Sequence, residues 1–123
     1  MAVNIAAVDP GIDNPYWLSD GLARRIRSTF AGGTPDEVPD RYAEIRAANW
    51  LHPSAPPTLL TYGTNDWLVP AIGSLEYAGH ARAHGVEVDT VAIPSTGHLI
   101  GLSGAARRAI IDLTVDWFDR HRP

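Results

Sequence analysis

Ala55-Pro-Pro-Thr-Leu-Leu-Thr-Tyr-Gly-Thr-Asn-Asp-Trp-Leu-Val-Pro70 decides how the rest of the chain is read. Thr58 to Tyr62 form a compact run of β-formers, bounded by Pro57 on one side and Gly63 on the other, which predicts a strand. A polar turn follows it at once. Downstream, Ser74 is placed to cap a helix running through Leu75, Ala78 and Ala81 to His84, with Gly85 as its stop. Val86, Val88, Val91 and Ile93 supply another strand, ended by Pro94. Ser103 or Gly104 then opens a helix with Ile110, Ile111, Thr114, Trp117 and Phe118 on its buried side. Strands alternating with helices in this way predict an α/β fold with a mainly parallel sheet.

The upstream residues add one more strand and a helical segment. Val3 to Val8 is a short apolar stretch closed by Asp9-Pro10-Gly11, and it reads as a strand leaving the sheet. Asp20 is placed to cap a helix whose Leu22, Ile26 and Phe30 recur at i, i+4 and i+8 as one apolar stripe. Ala31-Gly32-Gly33-Thr34-Pro35 ends it. Pro39 and Asp40 start a second short helix carrying Tyr42 and Ile45 on one side. His52 to Pro57, with Pro53, Pro56 and Pro57, is an extended connection. Residues 10–52 thus read as a helical, lid-like insertion, and 58–123 as strand-helix-strand-helix within one domain. A parallel sheet of about three strands is narrow, and parallel strands need both faces covered and their edges managed. On that ground the 123 residues read as part of a larger domain.

Composition excludes several classes. Hydrophobic residues make up 45% and charged residues 20%, an ordinary globular balance that argues against disorder. The net charge of −4 offers no basic surface to nucleic acid or anionic lipid. Every cation is arginine; lysine does not occur. The cysteine count of 0 excludes disulfides, thiolate nucleophiles and cysteine-built zinc sites. No apolar run approaches the ~20 residues of a membrane span. The opening residues lack the basic region of a signal peptide. The expectation is a soluble, cytoplasmic protein with neither a nucleic-acid nor a membrane partner.

In an open α/β sheet, ligands bind beyond the carboxyl ends of the strands. Tyr62 to Pro70 stands there directly after one strand, and Pro94-Ser-Thr-Gly-His98 directly after the next. Gly63 and Gly97 permit tight turns at the two exits, which would hold Asp66 and His98 side by side. Taken singly, an Asp in a turn is a turn-former and a His beside Gly is structural. Their joint placement at one end of the sheet points further. A carboxylate that orients an imidazole acting as general base is the back half of a nucleophilic triad.

Ala55 to Pro70 resembles the strand and acid turn of α/β-hydrolases, close to the form PPTLLIHGTxDxxVP in the feruloyl-esterase-like branch of esterases and lipases. Ile93-Pro-Ser-Thr-Gly-His98 is similar to the terminal strand and catalytic His of that family, and Phe30 to Tyr42 to the segment preceding its acid strand. The resemblance runs from about Val3 to the C-terminus. It implies Asp66 as triad acid, His98 as triad base, and neither metal nor cofactor.

The sequence departs from the family at the nucleophile. The family order is Ser, acid, His, with the Ser in a G-x-S-x-G elbow. Only Ser19, Ser28 and Ser54 precede Asp66, and none has Gly two residues away on both sides. Gly101-Leu-Ser-Gly-Ala105 follows His98, and a helix start explains it better. An HGGG-type oxyanion loop is lacking too. The expectation is therefore the C-terminal half of a serine hydrolase acting on small carboxylic esters, inactive alone, its nucleophile half preceding Met1 or supplied by another chain. Trp67 and Trp17 are candidate substrate-binding residues, with core anchoring as their alternative. Glu76, His80 and His84 share one helix face and read as a solvated face rather than a metal site. The competing expectation is a non-catalytic half-domain that binds a partner, or forms a homodimer, through its open sheet edge.

Overall fold

The computed structural model describes residues 17–66, 69–98 and 104–122. In chain order these form helices α1 (Trp17–Ala31) and α2 (Pro39–Ile45), a 3-10 turn at Ala47–Trp50, and strand β1 (Thr58–Gly63). Helix α3 (Ala71–Ala83), strand β2 (Val88–Ile93) and helix α4 (Gly104–Arg120) follow. The α/β alternation is as the sequence predicts. β1 and β2 are parallel, with Thr58 opposite Val88 and Gly63 opposite Ile93. α3 is the crossover that parallel neighbours require. Among the described residues the sheet has two strands; the expected strand Val3–Val8 lies outside them.

Alternation along β1 sends Leu59 and Leu60 to opposite faces, and both are buried. Leu60 joins Ala78 and Ala81 of α3, with Val86 and Val88, in one core; Leu51, Ala55 and Tyr77 border it. Ala78 and Ala81 have no exposed surface. Their single methyl groups let α3 lie close on the strands. α4 lies against β1, and its Trp117 is buried.

Four helix expectations need correction. α3 starts at Ala71 and not at Ser74, which is buried within its first turn. Pro70 precedes the helix with an extended ψ of 137°, and the Gly73 amide donates to its carbonyl; a helix start is where a missing N–H costs least. α1 starts at Trp17, so Asp20 lies one turn inside rather than at the cap position. The apolar stripe of α1 is not buried: Phe30 is 82% exposed. On α4, Ile110, Thr114 and Trp117 turn inward, while Ile111, Val115 and Phe118 are exposed. Two adjacent apolar stripes run along that helix, and packing selects the one that carries the tryptophan.

The end of α3 follows its glycine. Gly85 adopts φ +78°, its amide donates to Arg82, and the Val86 amide donates to the Ala81 carbonyl. That is the Schellman pattern, which drops the buried Val86 into the core. The end of α4 is fastened by His121, stacked on the Trp117 ring with centroids 3.8 Å apart. Its Nδ1 donates to the Trp117 carbonyl at 2.8 Å and its Nε2 to the Glu87 carboxylate at 2.9 Å. Both partners are acceptors, so the ring makes both bonds only as the cation. The Glu87 carboxylate first, and then the Trp117 carbonyl, hold its pKa above the ordinary histidine value. Among the described residues no helix is long and apolar enough to cross a membrane.

Candidate active site

The strand register brings two loops together. Because Gly63 lies opposite Ile93, the acid turn and the histidine loop leave the sheet side by side. They are stitched to each other. The Thr64 amide donates to the Ile93 carbonyl at 3.1 Å, and the Asn65 amide to the Thr96 carbonyl at 2.9 Å. The Ser95 amide donates to Thr64 Oγ1 at 2.9 Å, and Thr96 Oγ1 to the Ile93 carbonyl at 2.7 Å. Ser95 itself is in the left-handed region, φ 57°. Gly63 is required by proximity: a Cβ there would lie 2.3 Å from the Thr96 carbonyl oxygen and 2.8 Å from that of Gly97.

This scaffold brings Asp66 and His98 together. His98 Nδ1 lies 3.1 Å from Asp66 Oδ2, and the Val69 amide donates to Asp66 Oδ1 at 2.8 Å. The Asp66 side chain is only 2% exposed, whereas that of His98 is 37% exposed. A buried carboxylate is costly unless it is hydrogen-bonded, and these contacts supply bonds to both of its oxygens. A carboxylate accepts only, so Nδ1 is the donor and the neutral ring keeps Nε2 as an acceptor. A partly accessible imidazole with that tautomer imposed on it can take up a proton from a neighbouring hydroxyl.

The other predicted residues fare differently. Trp67 lies outside the described residues; the backbone of Trp17 opens α1, and its side chain lies outside them as well. Glu76, His80 and His84 are exposed, and His84 Nδ1 turns back onto the His80 carbonyl. Among the described residues no group of three or more acids and histidines gathers to hold a metal ion. Ser54 pairs with His52 Nδ1 in the turn before β1, and Ser103 lies outside the described residues. Among the described residues no serine hydroxyl hydrogen-bonds to the His98 ring.

Sequence reasoning missed three contributors: the Val69 amide, the Thr64 hydroxyl and the turned backbone of Ser95. The first was readable, because an Asp three residues before an amide is a familiar capping arrangement. The other two leave no local signal, because they depend on how closely the two strand exits approach.

Solved structures that resemble the chain include two bifunctional enzymes. One is a bifunctional GH43-CE protein of Bacteroides eggerthii, with a TM-score of 0.62 and 20% identity over 79% of this chain and 13% of that one. The other is an acetyl ester-xyloside bifunctional hydrolase of Caldicellulosiruptor lactoaceticus, with a TM-score of 0.60 and 26% identity over 67% of this chain and 31% of that one. The chain thus spans less than a third of either relative's length. Among curated proteins, none matches it. The parallel strands, the stitched exits and the fold neighbours agree with the α/β-hydrolase superfamily, and with residues 5–122 matching its profile, the chain belongs to the prolyl oligopeptidase family.

Proposed function

We propose that this chain carries the acid and base of a serine hydrolase that cleaves carboxylic esters, its nucleophile coming from a segment outside these 123 residues. One observation carries the reading: the 3.1 Å contact between His98 Nδ1 and the buried Asp66. Nε2 of His98 takes the proton of the attacking hydroxyl while that oxygen bonds to the ester carbonyl carbon. The Asp66 carboxylate orients the ring and stabilises the imidazolium. His98 then returns the proton to the departing alkoxide as the ester C–O bond breaks, leaving an acyl-enzyme. Water, deprotonated by the same nitrogen, releases the acid.

The ester class draws support from the 26% identical relative, whose name carries an acetyl ester hydrolase. The family's name favours a second reading, a peptide bond, for which the same pair would protonate a departing amine. In either reading residues 10–52 form a lid-like insertion, Trp17 and Trp67 help to wall the acyl pocket, and the enzyme works in the cytoplasm. The nucleophile is assigned elsewhere because Ser19, Ser28 and Ser54, the serines before Asp66, lack the G-x-S-x-G setting.

Exposure of the purified chain to a fluorophosphonate should leave its intact mass unchanged. A stoichiometric adduct that disappears in His98→Ala would overturn the placement of the nucleophile, and Ser103 would be mapped first. Joined to a nucleophile-bearing α/β-hydrolase segment, the chain should hydrolyse p-nitrophenyl acetate, and His98→Ala should cost roughly a thousandfold. Turnover insensitive to His98→Ala would overturn the acid–base assignment. The non-catalytic alternative, a half-domain that binds a partner or dimerises through its open sheet edge, is favoured instead if the joined protein is stable but inert toward esters.

A further inference from the structure

We propose that Thr64 is a positioning residue for the Asp66–His98 pair, its hydroxyl holding the loop that presents the histidine. The proposal rests on the reading of that pair as acid and base.

His98 stands five residues beyond the end of β2, in a segment without regular secondary structure. Such a segment has to be fastened if its last residue is to meet a partner at hydrogen-bonding distance. Pro94, the first residue out of the strand, has no N–H to contribute. Thr64 grips the chain on either side of it: its amide donates to the Ile93 carbonyl, and its hydroxyl accepts from the Ser95 amide at 2.9 Å. Ser95 is at φ 57°, a conformation that its own Cβ disfavours. The chain therefore turns back over the acid turn only where something holds it. From that turn the Thr96 carbonyl reaches the Asn65 amide, and the carbonyls of Thr96 and Gly97 settle over Gly63.

Thr64 lies two residues before Asp66 on the same turn. The clamp and the acid thus move as one piece, and a displacement of the acid turn carries the histidine loop with it. Valine at 64 keeps the branched shape and removes the acceptor, whereas serine keeps the acceptor.

The test uses the whole chain labelled with 15N at histidine, reading the His98 Nδ1 proton and its rate of exchange with solvent. Thr64→Val should speed that exchange roughly threefold to tenfold, the population change that one net hydrogen bond commands. Thr64→Ser should stay within about twofold of the parent, since it restores the same acceptor. The His121 ring protons serve as the control, because a merely structural loosening would speed them as well. In a Ser95→Gly background the turn is relaxed, and Thr64→Val should then have the smaller effect; an equal effect in both backgrounds would overturn the proposal. Should Thr64→Val fail to fold, Thr64→Ala gives the same reading. An unchanged rate in Thr64→Val, with Asp66→Asn abolishing the proton, overturns the proposal alone. Absence of the proton in the parent chain overturns the acid–base reading and the proposal with it.

Discussion

Gly63→Ala is the most direct challenge to the architecture of the site. A methyl group at 63 would stand 2.3 Å from the Thr96 carbonyl oxygen, about 1 Å inside the 3.4 Å at which ordinary contact begins. The carbonyl oxygen is backbone and a Cβ is fixed rigidly to its Cα, so no side-chain rotation relieves the clash. If the histidine loop retreats by about 1 Å, the 2.9 Å bond from Asn65 to Thr96 and the 3.1 Å bond from His98 to Asp66 both pass beyond hydrogen-bonding range. At about 1 kcal/mol net for each bond, the retreat costs about 2 kcal/mol, with somewhat more because the buried Asp66 Oδ2 loses its bond to the imidazole. If the loop stays, overpacking costs about 1–3 kcal/mol instead. The two routes together bound the expected loss at about 1–3 kcal/mol in urea unfolding followed by circular dichroism. The His98 Nδ1 proton separates the two routes, since it is lost on retreat and kept on compression. A loss below about 0.5 kcal/mol with that proton intact would refute the claim that the two loops press on each other through Gly63.

The same structure sets three further expectations. Leu60→Ala, which truncates the largest side chain of the core shared with Ala78 and Ala81, should cost about 2–5 kcal/mol in the same unfolding assay. Ser95→Gly should stabilise the chain by about 0.5 kcal/mol, because relief of the left-handed φ outweighs the added freedom of the unfolded chain. His121 titrates higher in the folded chain than its ordinary 6.5, through Glu87 first and the Trp117 carbonyl second. Its stabilisation is therefore complete below about pH 6.5 and lost as pH rises through the higher folded value. The unfolding midpoint should fall across that window in the parent chain, and the slope should shrink in Glu87→Gln, which keeps only the Trp117 carbonyl.

Local chemistry made the strand-and-helix order legible. Pro57 and Gly63 bound β1, Gly85 ends α3, and Pro94 ends β2, each for a reason of backbone geometry that no distant residue can override. The Asp66–His98 contact was legible because both residues lie in the loops that leave neighbouring parallel strands at one end of the sheet. Burial was harder. Phe30, in a regular apolar stripe, is largely exposed, and Ile111 and Phe118 lost the inward face of α4 to the stripe containing Trp117. Periodicity says that a helix has an apolar side, but it does not say which of two neighbouring stripes meets a partner. The start of α3 was misjudged because Ser74 is a good cap in isolation, while Pro70 three residues before Gly73 makes an earlier start feasible. The clamp by Thr64 was invisible, since it joins residues brought together only by strand pairing.

A parallel pair in register is what makes so short a unit able to bring Asp66 and His98 together. Strands lie about 4.8 Å apart, so two exits at the same level begin within reach of one another. Asp66 then needs only the turn after Gly63, which also returns the Val69 amide to its carboxylate. His98 stands further from its strand than Asp66 does from its own, and the left-handed turn at Ser95 takes up that extra length. Burial of Asp66 makes the arrangement exacting: with 2% of its side chain exposed, water cannot replace a partner that drifts away. The free energy of desolvating the acid thus holds the imidazole in the tautomer that general-base chemistry requires. All of these groups lie between Thr58 and His98. The orientation of the His98 ring is consequently fixed by the strand–helix–strand unit, and under the proposed function a nucleophile arriving from another segment would meet a histidine already held in place.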